Sequence, residues 1–349
     1  MTTTPRACIL SVSGLVLTPE EKILLADIQP WGVILMGRSC GSPDQVRALV
    51  DEIWLAMARP CLIFIDQEGG RVARLKAPAW PVFPAAGRFG ELYARNEEAA
   101  LEAAWLSHRL MGHELASVSI HADCAPLLDL PVPGADGVIG DRAFADTPEA
   151  AIALARAALD GLSEAGVAGV IKHMPGHGRA EVDSHKALPR VKTGGNELFA
   201  RDVLPFEALA DAPMAMSAHI AYEAWDASRP ATQSAKVISD IIRGRIGFQG
   251  LLMTDDLGMN ALGGSLEDRT RAALAAGCDI ALHCSGFVKE PEIILSEMRE
   301  VGEASPELTG PALSRAIAAE AASTHAKPFD AEAGWARLRE LMPELGVAA

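Results

Sequence analysis

Eight short apolar runs, separated by longer amphipathic stretches, govern what this chain can fold into. The runs occupy residues 7–11, 32–36, 61–65, 120–123, 168–172, 213–217, 251–254 and 279–282. Each is too short for a helix and several are rich in Val and Ile, so they read as strands. Between them, residues 19–28, 44–57, 96–117 and 148–165 carry helical patterning. Strand alternating with helix implies a parallel sheet, because parallel neighbours need a crossover and cannot be joined by a tight hairpin. Eight strands in 349 residues predict an α/β fold of the TIM-type (β/α)8 barrel class; an open doubly wound sheet is the alternative. No fixed-period repeat, low-complexity tract or Pro/Gly-rich linker divides the chain, so residues 1–349 are expected to form one domain. Helical stretches at 311–324 and 332–341 are expected to pack outside the barrel.

The ends of the runs are unusually polar. Gly37 and Arg38 follow the second run; Asp66, Gln67 and Glu68 follow the third; Asp123 ends the fourth. Lys172-His173 closes the fifth, Ser217-Ala218-His219 the sixth, and Asp255-Asp256 follows the seventh. In a parallel barrel these C-terminal ends converge on one face, where active sites are built. Polar residues also simply mark loop starts, but that accounts poorly for His, Lys and paired carboxylates recurring there.

Bulk charge removes several functions. The net charge is −15, and no block of Lys and Arg offers the basic face that displaces counterions from nucleic acid, so no nucleic-acid partner is expected. No run is long enough to span a bilayer, and no membrane insertion is expected. The first 18 residues lack a charged n-region and a continuous apolar core, so no signal peptide is read there. The cysteines at 8, 40, 61, 124, 278 and 284 form no C-x-x-C pair, and three lie in or beside apolar runs, as in a reducing compartment. A cytoplasmic protein is expected.

The densest constellation is Lys172-His173-Met174-Pro175-Gly176-His177-Gly178, followed by Asp183-Ser184-His185. Pro175, Gly176 and Gly178 exclude a regular helix, so this is a shaped loop leaving the fifth strand. A carboxylate two residues before a histidine can bond its ring, fix its tautomer and raise its basicity. The imidazole then serves as general acid and base near neutral pH. Two chemistries fit these residues: a metal site using His173, His177, Asp183 and His185, or a metal-free Asp183/His185 dyad. His177 alone reads equally well as a turn residue.

In Leu251-Leu252-Met253-Thr254-Asp255-Asp256 an apolar strand runs straight into two aspartates. Asp255, at the strand end, fits a carboxylate nucleophile aimed into the barrel mouth. Asp256 fits a capping role better. The stretch Asp66-Gln67-Glu68-Gly69-Gly70-Arg71 with Arg74 offers a carboxylate for paired hydroxyls and forked arginine donors.

Together these motifs, with Val138-Ile139-Gly140-Asp141-Arg142-Ala143-Phe144 and Ser217-Ala218-His219, resemble glycoside hydrolase family 3. They look most like its single-domain bacterial β-N-acetylhexosaminidases of peptidoglycan recycling. The resemblance runs from about residue 32 to residue 259. It implies a retaining exo-β-N-acetylglucosaminidase with Asp255 as nucleophile, His185 as acid/base and Asp183 orienting His185. Asp66, Arg74, Arg142, Lys172 and His173 match the positions that hold the sugar. The implied substrate is a muropeptide carrying N-acetylglucosamine β-1,4-linked to 1,6-anhydro-N-acetylmuramic acid. No cofactor and no metal are implied; a small carbohydrate is the expected partner, and the chain is expected to be a monomer or weak homodimer.

A neutral histidine beside Asp255 avoids adding another negative charge to the site, which favours the dyad over a metal. Within the resemblance, Met174 stands where Phe is usual, and Arg179-Ala180 replaces the frequent Asp-Thr. The second, C-terminal domain of many relatives is not expected, so the barrel and its loops would supply every catalytic group. Three other readings stay open: a family-3 β-glucosidase or a β-N-acetylglucosaminide phosphorylase, a metallohydrolase, and a non-catalytic sugar-binding protein.

Overall fold

A computed structural model describes residues 4–286, 288–323 and 326–343. All eight apolar runs are strands. We number them β1 (Arg6–Ser11), β2 (Pro30–Leu35), β3 (Leu62–Ile65), β4 (Ala122–Asp123), β5 (Ala168–Met174), β6 (Met214–Ser217), β7 (Leu251–Thr254) and β8 (Ala281–Leu282). Every neighbouring pair is parallel, in the order β8-β1-β2-β3-β4-β5-β6-β7. A parallel bridge from Met253 to Ile280 joins β7 to β8. The ring is therefore a closed (β/α)8 barrel and not the open sheet.

Alternation along each strand divides the core into two layers. On β3, Leu62 and Phe64 point into the barrel while Ile63 and Ile65 face the helices. On β7, Leu251 and Met253 point in and Leu252 points out. Some of the helices begin where the sequence supplies side-chain caps. Thr18 forms a capping box with Glu21 at the start of Pro19–Ile28, and Asn96 accepts from Ala99 N–H at the start of Glu97–Ser117. Such caps satisfy otherwise orphaned N–H groups of the first turn.

The C-terminal helices do two different things. Helix Ala331–Leu341 lies outside, against Glu97–Ser117. Helix Gly310–Ala322 instead covers the N-terminal end of the barrel. Its Ala316 and Ala319, with Leu308, join the interior cluster around Ile9, Trp31 and Phe64. The Trp31 indole N–H donates to Glu320 Oε1 at 2.7 Å. The bottom is thus plugged by apolar packing, and the opposite end is left to the strand-end loops. The expected stretch 311–324 ends beyond the described helix, residue 324 lying outside the described residues.

Candidate active site

Strand β5 delivers Lys172 and His173 at the open end of the barrel, where both are buried. Lys172 Nζ lies 2.9 Å from Asp66 Oδ1 and 2.6 Å from Glu68 Oε1. Arg74 holds the other Asp66 oxygen at 3.2 Å. Arg142 grips Glu68 with a fork, Nε and Nη2 each at 2.8 Å, and its Nη1 donates to the Val138 carbonyl. Three cations thus share two carboxylates, the arrangement that makes buried charge tolerable. Burial alone would raise the pKa of both acids. Lys172 and Arg74 outweigh it and hold Asp66 well below the usual carboxylate range. Lys172 and Arg142 bring Glu68 down to about 2. For Lys172, burial works downward, and Asp66 and Glu68 overcome it so that its pKa rises. Glu68 stands beside Asp66 in the sequence motif, but its function as the anchor of Arg142 and Lys172 requires the fold.

The turn after β5 is organised by a residue that the sequence reading missed. Asp129 is buried in the loop after β4. Its Oδ1 accepts the backbone N–H of His177 at 2.6 Å and of His173 at 3.2 Å. Its Oδ2 lies 2.7 Å from His173 Nδ1. His177 is inside the turn, its Nε2 3.1 Å from Ser184 Oγ. Burial, reinforced by His173, lowers the His177 pKa to about 4, which keeps the ring neutral near pH 7. Gly178 is required here, since a Cβ would sit 1.8 Å from the Leu130 carbonyl oxygen.

The loop continues to Asp183 and His185. A single oxygen, Asp183 Oδ1, accepts the His185 backbone N–H at 2.9 Å and lies 2.7 Å from its ring Nδ1. Burial opposes ionisation of Asp183, but the His185 hydrogen bonds win and lower its pKa. The loop is tied down at three points. Ser184 meets His177, the Ser184 carbonyl accepts from Ala261 N–H at 3.1 Å, and Arg179 bonds Asp202 at 2.8 Å and Glu197 at 2.9 Å. Arg179, one of the residues that depart from the family pattern, therefore fastens the loop to the segment that follows it.

Asp255 leaves β7 into the same mouth. Its Oδ1 accepts the Asp256 N–H at 2.8 Å, and its Oδ2 lies 3.9 Å from His173 Nε2. Burial would raise its pKa, and His173 and His219 outweigh it, keeping Asp255 an anion. Asp256 starts no helix. It accepts from Gly258 N–H and Cys284 N–H, both at 3.0 Å, fastening the turn after β7 to the end of β8. The Asp256 carbonyl meets His219 Nε2 at 3.0 Å, while His219 Nδ1 meets Thr232 Oγ1 at 2.8 Å. His219, from the Ser217-Ala218-His219 motif, is thus a buried prop beneath the Asp256-Leu257 peptide, just past Asp255.

All eight residues singled out from the sequence line one cavity of about 310 Å³: Asp66, Arg74, Arg142, Lys172, His173, Asp183, His185 and Asp255. Glu68, Arg71, Ser184, Met216 and Cys284 complete much of the wall. Among the described residues, no three His, Cys, Asp or Glu side chains are grouped so as to hold a metal ion. His173 and His185 each turn Nδ1 to a carboxylate of their own, which fixes the direction of the ring. An ionised carboxylate, an oriented imidazole and a set of charged hydrogen-bonding groups therefore surround one small polar ligand volume.

Residues 10–315 match the glycosyl hydrolase family 3 N terminal domain. The chain is 40% identical over 304 residues to a β-hexosaminidase of Alkalilimnicola ehrlichii, spanning 85% of this chain and 84% of that protein. It is 41% identical over 280 residues to a β-hexosaminidase of Thioalkalivibrio sulfidiphilus, spanning 79% and 80%. Among solved structures, NagZ from Neisseria gonorrhoeae in complex with N-trifluoroacetyl-D-glucosamine superposes with a TM-score of 0.81 at 31% identity. That match covers 97% of this chain and 95% of the other.

Proposed function

The chain belongs to glycosyl hydrolase family 3, and from that premise we propose that it is a retaining exo-β-N-acetylglucosaminidase acting on muropeptides. The substrate of this reading is N-acetylglucosamine β-1,4-linked to 1,6-anhydro-N-acetylmuramic acid, released during cell-wall recycling. The observation that carries it is the lining of one cavity by Asp255 and by the Asp183/His185 pair. The N-acetyl sugar is supported by the β-hexosaminidase relatives and by the N-trifluoroacetyl-D-glucosamine bound to the Neisseria protein.

In this mechanism an Asp255 oxygen attacks the anomeric carbon as the bond to the leaving oxygen breaks. His185 Nε2 gives its proton to that oxygen. The glycosyl-Asp255 ester then carries no charge; water attacks the same carbon while His185 takes its proton, and the ester bond breaks to free the sugar and return Asp255 as a carboxylate. Asp183 holds Nδ1–H throughout and steadies the imidazolium. Asp66, Arg74, Arg142, Lys172 and His173 hold the sugar hydroxyls. Lys172, Arg74 and Arg142 already face Asp66 and Glu68, which supports water rather than phosphate as the acceptor.

The cytoplasm is the proposed location and a monomer or weak homodimer the proposed state, with the small carbohydrate as sole partner. The six cysteines are free thiols, which supports a reducing compartment. No helix among the described residues is long and apolar enough to cross a membrane. The decisive experiment incubates the protein with aryl β-N-acetylglucosaminide, aryl β-glucoside and the anhydro-disaccharide, with and without phosphate. Release of N-acetylglucosamine independent of phosphate, with no glucose released from the glucoside, supports the reading; a preferred glucoside or a sugar phosphate product overturns it.

A further inference from the structure

His173 and His185 both line the cavity and each is paired with a carboxylate, but only the Asp183/His185 pair has a part in the proton transfers set out above. The other pair is Asp129/His173. We propose that Asp129 is a positioning residue that fixes the tautomer and direction of His173, so that Nε2 faces the substrate and Asp255.

The two Asp129 oxygens divide their work. Oδ1 takes the two backbone N–H groups of the turn, His173 at 3.2 Å and His177 at 2.6 Å. Oδ2 takes the ring, at 2.7 Å from His173 Nδ1. It is also 3.3 Å from His173 N, a secondary contact. An ionised carboxylate only accepts hydrogen bonds. His173 Nδ1 must then carry a proton, and the ring turns Nε2 toward the cavity, 3.9 Å from Asp255 Oδ2. Asp129 is buried at 1% exposure. Burial opposes its ionisation, and His173 and then His177 overcome this and lower its pKa. The hydrogen-bond logic matches that of a buried acid behind a catalytic imidazole, but here the ring neighbours the nucleophile and not the leaving group.

The division of oxygens makes the idea separable from folding. In Asp129→Asn, the amide oxygen can replace Oδ1 and keep both backbone bonds. The amide nitrogen then replaces Oδ2 and, as a donor, forces His173 Nδ1 to accept. The ring is then left protonated at Nε2 alone, pointing at Asp255 and at the substrate hydroxyls. Asp129→Ala removes all of these bonds and shows what a structural loss alone looks like.

The test has two arms. Nitrogen-15 NMR of histidine-labelled protein, free of ligand, is expected to show His173 protonated at Nδ1 in the wild type, with Nδ1 losing its proton in Asp129→Asn. This arm does not depend on the proposed activity. The second arm rests on that reading and measures kcat and KM on an aryl β-N-acetylglucosaminide. Asp129→Asn should lower kcat/KM roughly 10–100-fold, as losing an orienting partner commonly does, with the melting temperature unchanged. The double variant Asp129→Asn/His173→Gln should be no slower than His173→Gln alone, because an effect passing through His173 disappears with it. An unprotonated Nδ1 in the wild type overturns the proposal, as does a defect that multiplies in the double variant. Failure of the wild type to hydrolyse the glycoside overturns the functional reading and leaves the NMR arm to decide this one.

Discussion

Asp183 Oδ1 lies 2.7 Å from His185 Nδ1 and 2.9 Å from the His185 backbone nitrogen, so one oxygen sets both the ring and the peptide that carries it. Removing that oxygen should cost most where a proton must be delivered. We expect Asp183→Ala to lower kcat/KM about 100-fold for a sugar leaving group, within the usual range for acid/base catalysis. A dinitrophenyl leaving group, which departs without protonation, should lose far less. Equal losses on the two substrates would show that Asp183 acts only on loop structure.

Asp255 and Asp256 are adjacent but differently employed. Asp255→Ala should abolish turnover, with a loss on the order of 10⁴-fold or more expected for a missing covalent nucleophile. A 2-fluoro or 5-fluoro glycosyl fluoride should label Asp255, read by mass spectrometry of the digested protein. Asp256 should stay unlabelled, and Asp256→Ala should lose stability, since Gly258 N–H and Cys284 N–H lose their acceptor. A label on Asp256 would reverse the assignment.

Lys172 neutralises two acids at once. Lys172→Met should destabilise the fold by about 3–5 kcal/mol, the usual result of leaving a buried carboxylate without its partner. Denaturant unfolding near pH 7 measures it. Glu68→Gln should cost less, because the amide oxygen still accepts from Arg142.

Acid should weaken the fold in two stages. His108 and His177 are buried, and burial lowers each from 6.5 to about 4. Their folded-state pKa values lie below the unfolded ones, so the unfolded chain binds more protons between them. The contribution is present above about pH 6.5 and is lost as the pH falls toward 4, on the order of 3 kcal/mol per group over the window. His108→Gln should reduce the slope of unfolding free energy against pH in that window by about one proton. Glu68 acts lower: its contribution is present above about pH 4.5 and is lost toward pH 2. An unchanged slope in His108→Gln would show that His108 is charged in the fold.

Much of the site was legible because its signals are local. Asp183 and His185 are two residues apart, and their bond needs only a turn. Asp255 follows directly on a strand, so its position in the barrel mouth follows from the strand itself. Asp129 was illegible for the opposite reason. It lies within the apolar stretch Ala125-Pro126-Leu127-Leu128-Asp129-Leu130, and a single acid there carries no sign of its partner. A useful clue was available, since an isolated carboxylate in an apolar stretch must find a donor if buried. Arg142 was read as a sugar ligand; it does line the cavity, but much of its fork is spent on Glu68 and Val138, 74 and 4 residues away.

The eight strands, the helices between them and the end of the barrel that carries the polar groups are written into the order of residues along the chain. Those properties follow from periodicity, caps and strand ends, which involve neighbours along the chain. Which charges pair is settled in the closed barrel. Asp66 meets Lys172 across 106 positions and Asp129 meets His173 across 44. The helix Gly310–Ala322 was likewise given its place beneath the barrel by apolar surface left open at the bottom of the strands. Such choices rest on desolvation and on which donor lies nearest in three dimensions, and neither exists until the ring has closed.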